Sequence, residues 1–180
     1  MIVREATVDD ADVLGDVHVQ TWQEAYRGKI PQQHLNQMDL ARRRQGWRQI
    51  LQNPGPATTL VVEHGGQGVV GFIRVSSSRD SDADPDLVGE VQGLYLLPAF
   101  WGQGVGRLLM DAGLRRLAEA GYRESTLWVL ATNDRARRFY EVSGWRPDGA
   151  TKTDSSRGFP LFEVRYRRAA NTELPFSTSL

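Results

Sequence analysis

The chain has 180 residues, 40% of them apolar and 24% charged, with a formal net charge of zero, which is the make-up of one soluble globular domain with a substantial core. The balanced charge excludes a global field drawing the molecule to nucleic acid or an anionic membrane. No apolar run approaches the length needed to cross a bilayer. The absence of cysteine excludes disulfides, thiolate metal sites and an acyl-cysteine intermediate.

Met1 leads directly into I-V-R-E-A-T-V-D-D, without the pattern of a secretory signal, so a cytoplasmic location is the expectation. Met1 to Ala6 reads as a first strand. Asp9 or Asp10 then caps a helix running to about Arg27, with Gly28 as its stop. One stripe of this helix, Leu14, Val17, Thr21 and Ala25, is assigned to the core; Val19, Trp22 and Tyr26 form a second. His18 lies between them. Like His34 and His64, it has no second histidine at ligand spacing, so no metal site is expected. Pro31 to Leu51 reads as a second helical region. Its Arg42, Arg43, Arg44 and Arg48 suit a solvated face, with the grip of an anion as the sharper alternative. N-P-G-P at Asn53 to Pro56 is a loop, and Thr58 to Glu63 with Val69 to Ser76 reads as a hairpin turning at His64 to Gly68. Ser76 to Asp86 is polar and acidic and reads as a mobile loop.

The stretch from Glu90 to Met110 organises the rest. Val91, Leu94, Tyr95, Leu96 and Leu97 suit a buried strand, which Pro98 stops. A turn with Gly102, Gly104 and Gly106 follows, and Val105, Leu108, Leu109 and Ala112 then recur at helical spacing toward Gly121. Strand, glycine turn and helix together make a phosphate cradle, since main-chain N–H groups converge where the helix dipole favours negative charge. The turn reads G-Q-G-V-G-R, which is neither the dinucleotide G-x-G-x-x-G nor a P-loop; by itself it could be only a tight turn. Ser125 to Ala131 is another strand. Asn133 caps a short helix to Ser143, closed by Gly144, and two strands follow, one from near Trp145 and one from Leu161 to Tyr166. Ala169 to Leu180 has no clear period and reads as a tail, either disordered or packed on a neighbour.

The run L-Y-L-L-P-A-F-W-G-Q-G-V-G-R-L-L resembles the acyl-CoA-binding motif of the GNAT acyltransferase superfamily. Gly104 and Gly106 match that motif, and Trp101 stands where arginine or glutamine is usual. N-D-R-A-R-R-F-Y-E-V-S-G-W resembles the family's second block through Asn133, Ala136, Tyr140 and Gly144. The resemblance covers about residues 1–168 and implies one domain there, with 169–180 as the tail. It implies an α/β (α+β) GNAT fold: a twisted, mixed, mostly antiparallel sheet of about seven strands with four helices, strands four and five running parallel and splayed. It further implies acetyl transfer from acetyl-CoA to an amine by direct attack. The acceptor would be a small molecule or a protein, with no nucleic acid, membrane or metal involved, and a homodimer is compatible with it.

By the same resemblance the backbone of Leu94, Tyr95 and Leu96 pairs with the pantetheine arm. Main-chain N–H groups of Gly102, Gln103, Gly104, Val105, Gly106 and Arg107 hold the pyrophosphate, and Asn133 both caps its helix and reaches the cofactor. Arg135, Arg137 and Arg138 either meet a ribose phosphate or are exposed. Trp22 and Tyr26 wall the acceptor pocket or, in the bland reading, only pack. Acyl transfer to an amine requires loss of an amine proton, stabilisation of the carbonyl oxygen as it becomes negative, and a proton for the departing thiolate. A backbone N–H at a bulge near Leu96 is the expected oxyanion donor. Tyr140, with an ordinary phenol pKa of about 10, is the expected acid, against a plain core aromatic. Glu90 is the expected base, acting through water, against a junction carboxylate without a role. Trp128, at the strand-five position some relatives use, cannot serve as a base. Asp80, Asp82, Asp84, Asp86 and Glu90 outweigh Arg79 and suggest a rim that favours cationic acceptors, against a merely solvated connector. A non-catalytic acyl-CoA-sensing domain is the alternative function, and an NAD-dependent oxidoreductase is disfavoured by the misplaced glycine.

Overall fold

In a computed structural model, which describes residues 1–170, the strands β1 (Ile2–Glu5), β2 (Thr58–His64), β3 (Gly68–Ser77), β4 (Val88–Leu96), β5 (Glu124–Leu130), β6 (Arg146–Asp154) and β7 (Leu161–Ala169) form one sheet. Their order is β1-β2-β3-β4-β5-β7-β6. Every neighbouring pair is antiparallel except β4 and β5. That exception follows from connectivity: the helix α4 (Val105–Glu119) crosses over between them, and a helical crossover returns the chain parallel. Buried residues of α4, among them Leu109, Met110 and Leu117, pack with Val62, Ile73 and Val75 of the sheet in the main core. Helix and sheet approach so closely that a Cβ on Gly113 would lie 2.6 Å from Ile73 Cδ1.

On the other side, α1 (Ala11–Ala25) packs with Leu14 and Val17 against Val61 and Phe72. The stretch expected as one second helical region holds two helices, α2 (Gln32–Asn36) and α3 (Leu40–Gln52), so the α-helices among the described residues number five rather than four. The break has a local cause, since Asp39 turns extended and caps α3 by accepting from the Arg42 N–H at 2.9 Å. Arg42, Arg43 and Arg48 of the arginine cluster are exposed, as a solvated face requires, and two of the four arginines also have partners on α1. Arg44 bonds Asp16 at 2.8 Å and Arg48 bonds Asp12 at 2.8 Å, tying α3 to α1. The helix α5 (Asp134–Val142) begins at Asn133, whose side chain accepts from Ala136 N at 3.3 Å. Strand β7 runs past the expected domain end: Ala169 pairs with Glu124, and Ala170 N donates to Arg123 O at 2.8 Å. The remainder of the expected tail, 171–180, lies outside the described residues. Among the described residues no helix is long and apolar enough to cross a membrane.

The feature that positions the site is an interrupted pairing. β4 and β5 are in register only from Val88↔Glu124 to Val91↔Leu127. At that point β4 carries a bulge: Val75 faces Val91 and Arg74 faces Gly93, leaving Gln92 over. A bulge bends its strand and sharpens its twist. Beyond it β4 follows β3 to Leu96 while β5 follows β7 to Leu130, and the two parallel strands part. The bulge was expected near Leu96; it lies at Gln92, at the root of the gap rather than along it.

Candidate active site

Register decides which main-chain groups face the gap. Leu97 N donates to Val70 O at 2.9 Å, so the Leu97–Val70 pair is hydrogen-bonded. In an antiparallel ladder such pairs alternate with unbonded ones. Leu96↔Gly71 and Leu94↔Ile73 are therefore unbonded, and the peptide groups of Leu94 and Leu96 turn away from β3 toward the gap. The Leu96 carbonyl is already used: it accepts Trp101 Nε1–H at 2.7 Å and the Thr21 hydroxyl at 3.1 Å, filling both lone pairs. What Leu96 still offers is its N–H. Trp101, the departure from the family motif, thus locks the end of β4, and its ring also carries the Arg135 guanidinium 4.5 Å from its centroid.

The gap opens into a cleft of about 900 Å³. Leu94, Tyr95, Leu96, Gly102, Gly104, Gly106, Arg107, Asn133, Trp22, Tyr26, Glu90 and Tyr140 all border it. Gln103 and Val105 do not. Gln103 is exposed and donates its side-chain amide to Ala99 O at 2.6 Å, while Val105 is buried in the core. Gly104 is the N-cap of α4 with φ +82°, in the left-handed region that favours glycine, and no side chain caps the helix. The first N–H groups of a fifteen-residue helix are thus left without a capping side chain beside the cleft. A Cβ placed on Gly102 or Gly104 would meet no protein atom within 4 Å, so the turn is bare on that side. An anion-bearing chain entering the gap fits this cradle. Arg137 is not part of it, being spent on Ala131 O at 3.0 Å and Tyr166 OH at 3.1 Å; Arg135 and Arg138 do border the cleft.

Tyr140, on α5, is buried among Phe139, Trp145 and Tyr166, yet it lines the cleft. Burial raises its pKa, and the nearby Tyr95 adds to the effect; Tyr26 and Tyr95 are raised by burial as well. All three phenols are therefore held protonated. Glu90 is buried and engaged by Arg79: Oε1 accepts from Nη2 at 2.5 Å, and Oε2 accepts from Nε at 3.0 Å and the backbone N–H at 3.1 Å. A carboxylate offers about four acceptor sites, so this leaves one for a water. His18 stacks on Tyr95 with centroids 4.5 Å apart, and burial lowers its pKa to about 3, with Arg43 and Arg157 adding to the shift; it is a neutral packing group.

At Asp80 and Asp82 the acidic loop is neither a free field nor a plain solvated connector. Asp82 bonds Arg165 through both oxygens at 2.7 Å, and Asp80 accepts from Arg165 at 3.1 Å and from Trp128 Nε1–H at 2.9 Å. Asp84 accepts the Asp86 backbone N–H at 2.9 Å, closing a local turn. The charges of Asp80 and Asp82 are spent on fastening the loop to β5 and β7. Residues that the sequence reading passed over also line the cleft: Thr21, Arg79, Lys152, Asp154, Arg157 and Glu163. Thr21 was legible as the polar member of an apolar stripe, and Arg79 as the lone cation of an acidic run. Nothing local marks Glu163.

Comparison with known proteins agrees with this geometry. The family model described as "Acetyltransferase (GNAT) family" matches residues 19–145. An uncharacterized N-acetyltransferase of Archaeoglobus fulgidus is 33% identical over 140 residues, covering 78% of this chain and 89% of its own. Another, from Mycobacterium tuberculosis, is 30% identical over 141 residues, covering 78% and 85% respectively. Among solved structures, the PaiA N-acetyltransferase of Thermoplasma acidophilum in complex with coenzyme A superposes with a TM-score of 0.71 at 17% identity, covering 93% of this chain and 98% of that one.

Proposed function

The chain belongs to the GNAT acetyltransferase family, and on that premise we propose that its cleft transfers the acetyl group of acetyl-CoA directly to an amine. The observation that carries this reading is the parting of β4 and β5 at Gln92, with the peptide groups of Leu94 and Leu96 turned into the gap and a glycine-led helix start beside it. The thioester supplies an activated acetyl group. Leu94 pairs with the pantetheine amides as an added strand would, and the α4 N-terminus holds the pyrophosphate. Asn133 keeps its amide donors for the same arm while its oxygen caps α5.

Within that arrangement the N–H of Leu96 stabilises the carbonyl oxygen as it becomes negative, a service that a preorganised backbone donor gives at no cost in reorganisation. Tyr140 gives its proton to the departing sulfur. Burial that disfavours a phenolate disfavours a bare thiolate too, so the two remain matched acid and base. Glu90 takes the amine proton through a water on its remaining acceptor site, its other sites being held by Arg79. Trp22 and Tyr26 wall the acceptor side. We read residues 1–170 as one acyltransferase domain working in the cytoplasm.

The test is a screen of amine libraries with detection of free coenzyme A thiol, run beside acetyl-CoA calorimetry. Acetyl-CoA-dependent thiol release with at least one amine is the expected result. Tight acetyl-CoA binding with no amine accepted from small-molecule, amino-acid or peptide sets would make the domain a sensor instead.

A further inference from the structure

Three carboxylates line the cleft, and they are not equivalent. Glu90 is held by three hydrogen bonds from Arg79. Asp154 accepts the Arg157 guanidinium at 3.0 Å and the Ser156 N–H at 2.8 Å. Glu163 has neither kind of partner. Its nearest cation is Lys152 Nζ at 3.6 Å, beyond ordinary hydrogen-bond length, and that ammonium lies 4.1 Å from the centroid of the Trp128 ring. The Glu163 side chain is 24% exposed, on β7 opposite Leu130 of β5 and Lys152 of β6. Glu163 lines the same cleft as Trp22, Tyr26 and Tyr95.

A second group in the same cleft is unspent. Trp22 is 7% exposed and borders the cleft, and its indole N–H has no hydrogen-bond partner; it approaches the Tyr95 phenol without making a bond of proper geometry. A buried donor left unpaired costs free energy unless a ligand completes it. Between these two groups Trp22, Leu130 and Leu161 share one buried cluster with Tyr26 and Tyr95 packed against it, and the Arg157 guanidinium lies 4.9 Å from the centroid of the Trp22 ring.

Resting on the transferase reading above, we propose that Glu163 receives the ammonium group of the arriving acceptor and that Trp22 Nε1–H donates to an oxygen on the same molecule. The acceptor class is thus a primary amine on an apolar body that carries a carbonyl or hydroxyl oxygen near the amine, as an amino alcohol or an aminoacyl amide does. Glu163 and Trp22 are binding residues in this scheme, and neither takes part in the proton transfers assigned to Glu90 and Tyr140.

The experiment uses the full chain, acetyl-CoA and matched amine pairs that differ only by the oxygen. The wild type should prefer the oxygen-bearing member by about tenfold or more in kcat/KM, as a site built around a donor does. Glu163→Gln should raise the KM for the amine by about tenfold or more with kcat little changed, as expected when one partner of a desolvated charge pair is removed. Trp22→Phe should erase the oxygen preference. Acetyl-CoA affinity by calorimetry should be unchanged in both variants, which separates loss of acceptor binding from loss of fold. An unchanged KM in Glu163→Gln, a wild type indifferent to the oxygen, or a preference surviving in Trp22→Phe overturns the inference while leaving the transferase reading intact. Acetyl-CoA binding without turnover of any amine by the wild type defeats both.

Discussion

At Tyr140 a structural role meets the acid role proposed above. Its ring is buried against Phe139, Trp145 and Tyr166, and the residue also lines the cleft. Replacement by phenylalanine retains the ring, so thermal stability and acetyl-CoA affinity should hardly move. Turnover should fall by ~10²–10⁴-fold, the usual loss when a general acid is deleted. A Tyr140→Phe enzyme turning over at wild-type rate would leave the residue a packing role only. His18 makes a second residue-scale case. Its folded pKa of about 3 lies below its ordinary 6.5, so the unfolded chain takes up a proton first as the pH falls. Stability is therefore lost between pH 6.5 and pH 3, by up to ~1.4 kcal/mol per pH unit. Carboxylates whose pKa is lowered, such as Asp10, Asp82 and Asp148, act in the same direction but only nearer pH 4 and below. In urea titrations between pH 4.5 and 7, His18→Phe should flatten the decline. An unaltered slope would mean that another group carries it.

At the scale of elements, the glycine turn and α4 act as a unit. Gly104 must adopt φ +82°, and open space lies where its Cβ would project. Asparagine tolerates the left-handed region better than other non-glycine residues, so Gly104→Asn separates strain in the turn from obstruction of the cradle. The expected variant melts within a few degrees of wild type and binds acetyl-CoA at least about tenfold more weakly, since the side chain occupies the phosphate position. Equal affinity in a folded Gly104→Asn protein would remove the α4 N-terminus from the binding site. The pair β4 and β5 teaches the complementary point. Neither strand alone marks a gap, and only the bulge at Gln92 parts the two where they would otherwise stay paired.

For the whole molecule, Arg165 is the tie between distant parts. Its side chain is 6% exposed and joins Asp80 and Asp82 of the β3–β4 loop to Asp148 of β6. Arg165→Met would leave Asp80 and Asp148, which are 16% and 14% exposed, with much of their charge uncompensated. The cost at pH 7 should be about 3 kcal/mol in urea unfolding, the lower end for a broken buried pair because Asp82 stands open to solvent. The folded pKa values of Asp82 and Asp148 are lowered, so the stability they contribute is present above about pH 4 and lost as pH falls through their folded values. The penalty of the mutation should shrink over that same acid range. A loss independent of pH would point to packing rather than charge. Because the loop also carries Arg79, the variant should lose turnover through Glu90 as well, more than it loses acetyl-CoA affinity.

What the amino-acid order determined by itself is what short-range physics encodes. The left-handed glycine at Gly104, the stop at Pro98, the cap at Asn133 and the periods of strand and helix all act within a few residues. They sufficed for the strand–turn–helix unit and the hairpin before it, while the parallel strand pair and most residues expected at the cleft came from the resemblance of two motifs to the GNAT family. The tertiary structure decided what depends on partners far away in sequence. Thr21 meets the Leu96 carbonyl across 75 residues, and Arg165 meets Asp82 across 83. Neither pairing leaves a local pattern, because a hydrogen bond or an ion pair selects its partner by position in space. So the acidic run, which reads as a free electrostatic rim, became a fastening once folding brought Arg165 beneath it, and Glu163, which has no motif around it, was left as the cleft carboxylate without a hydrogen-bonded cation.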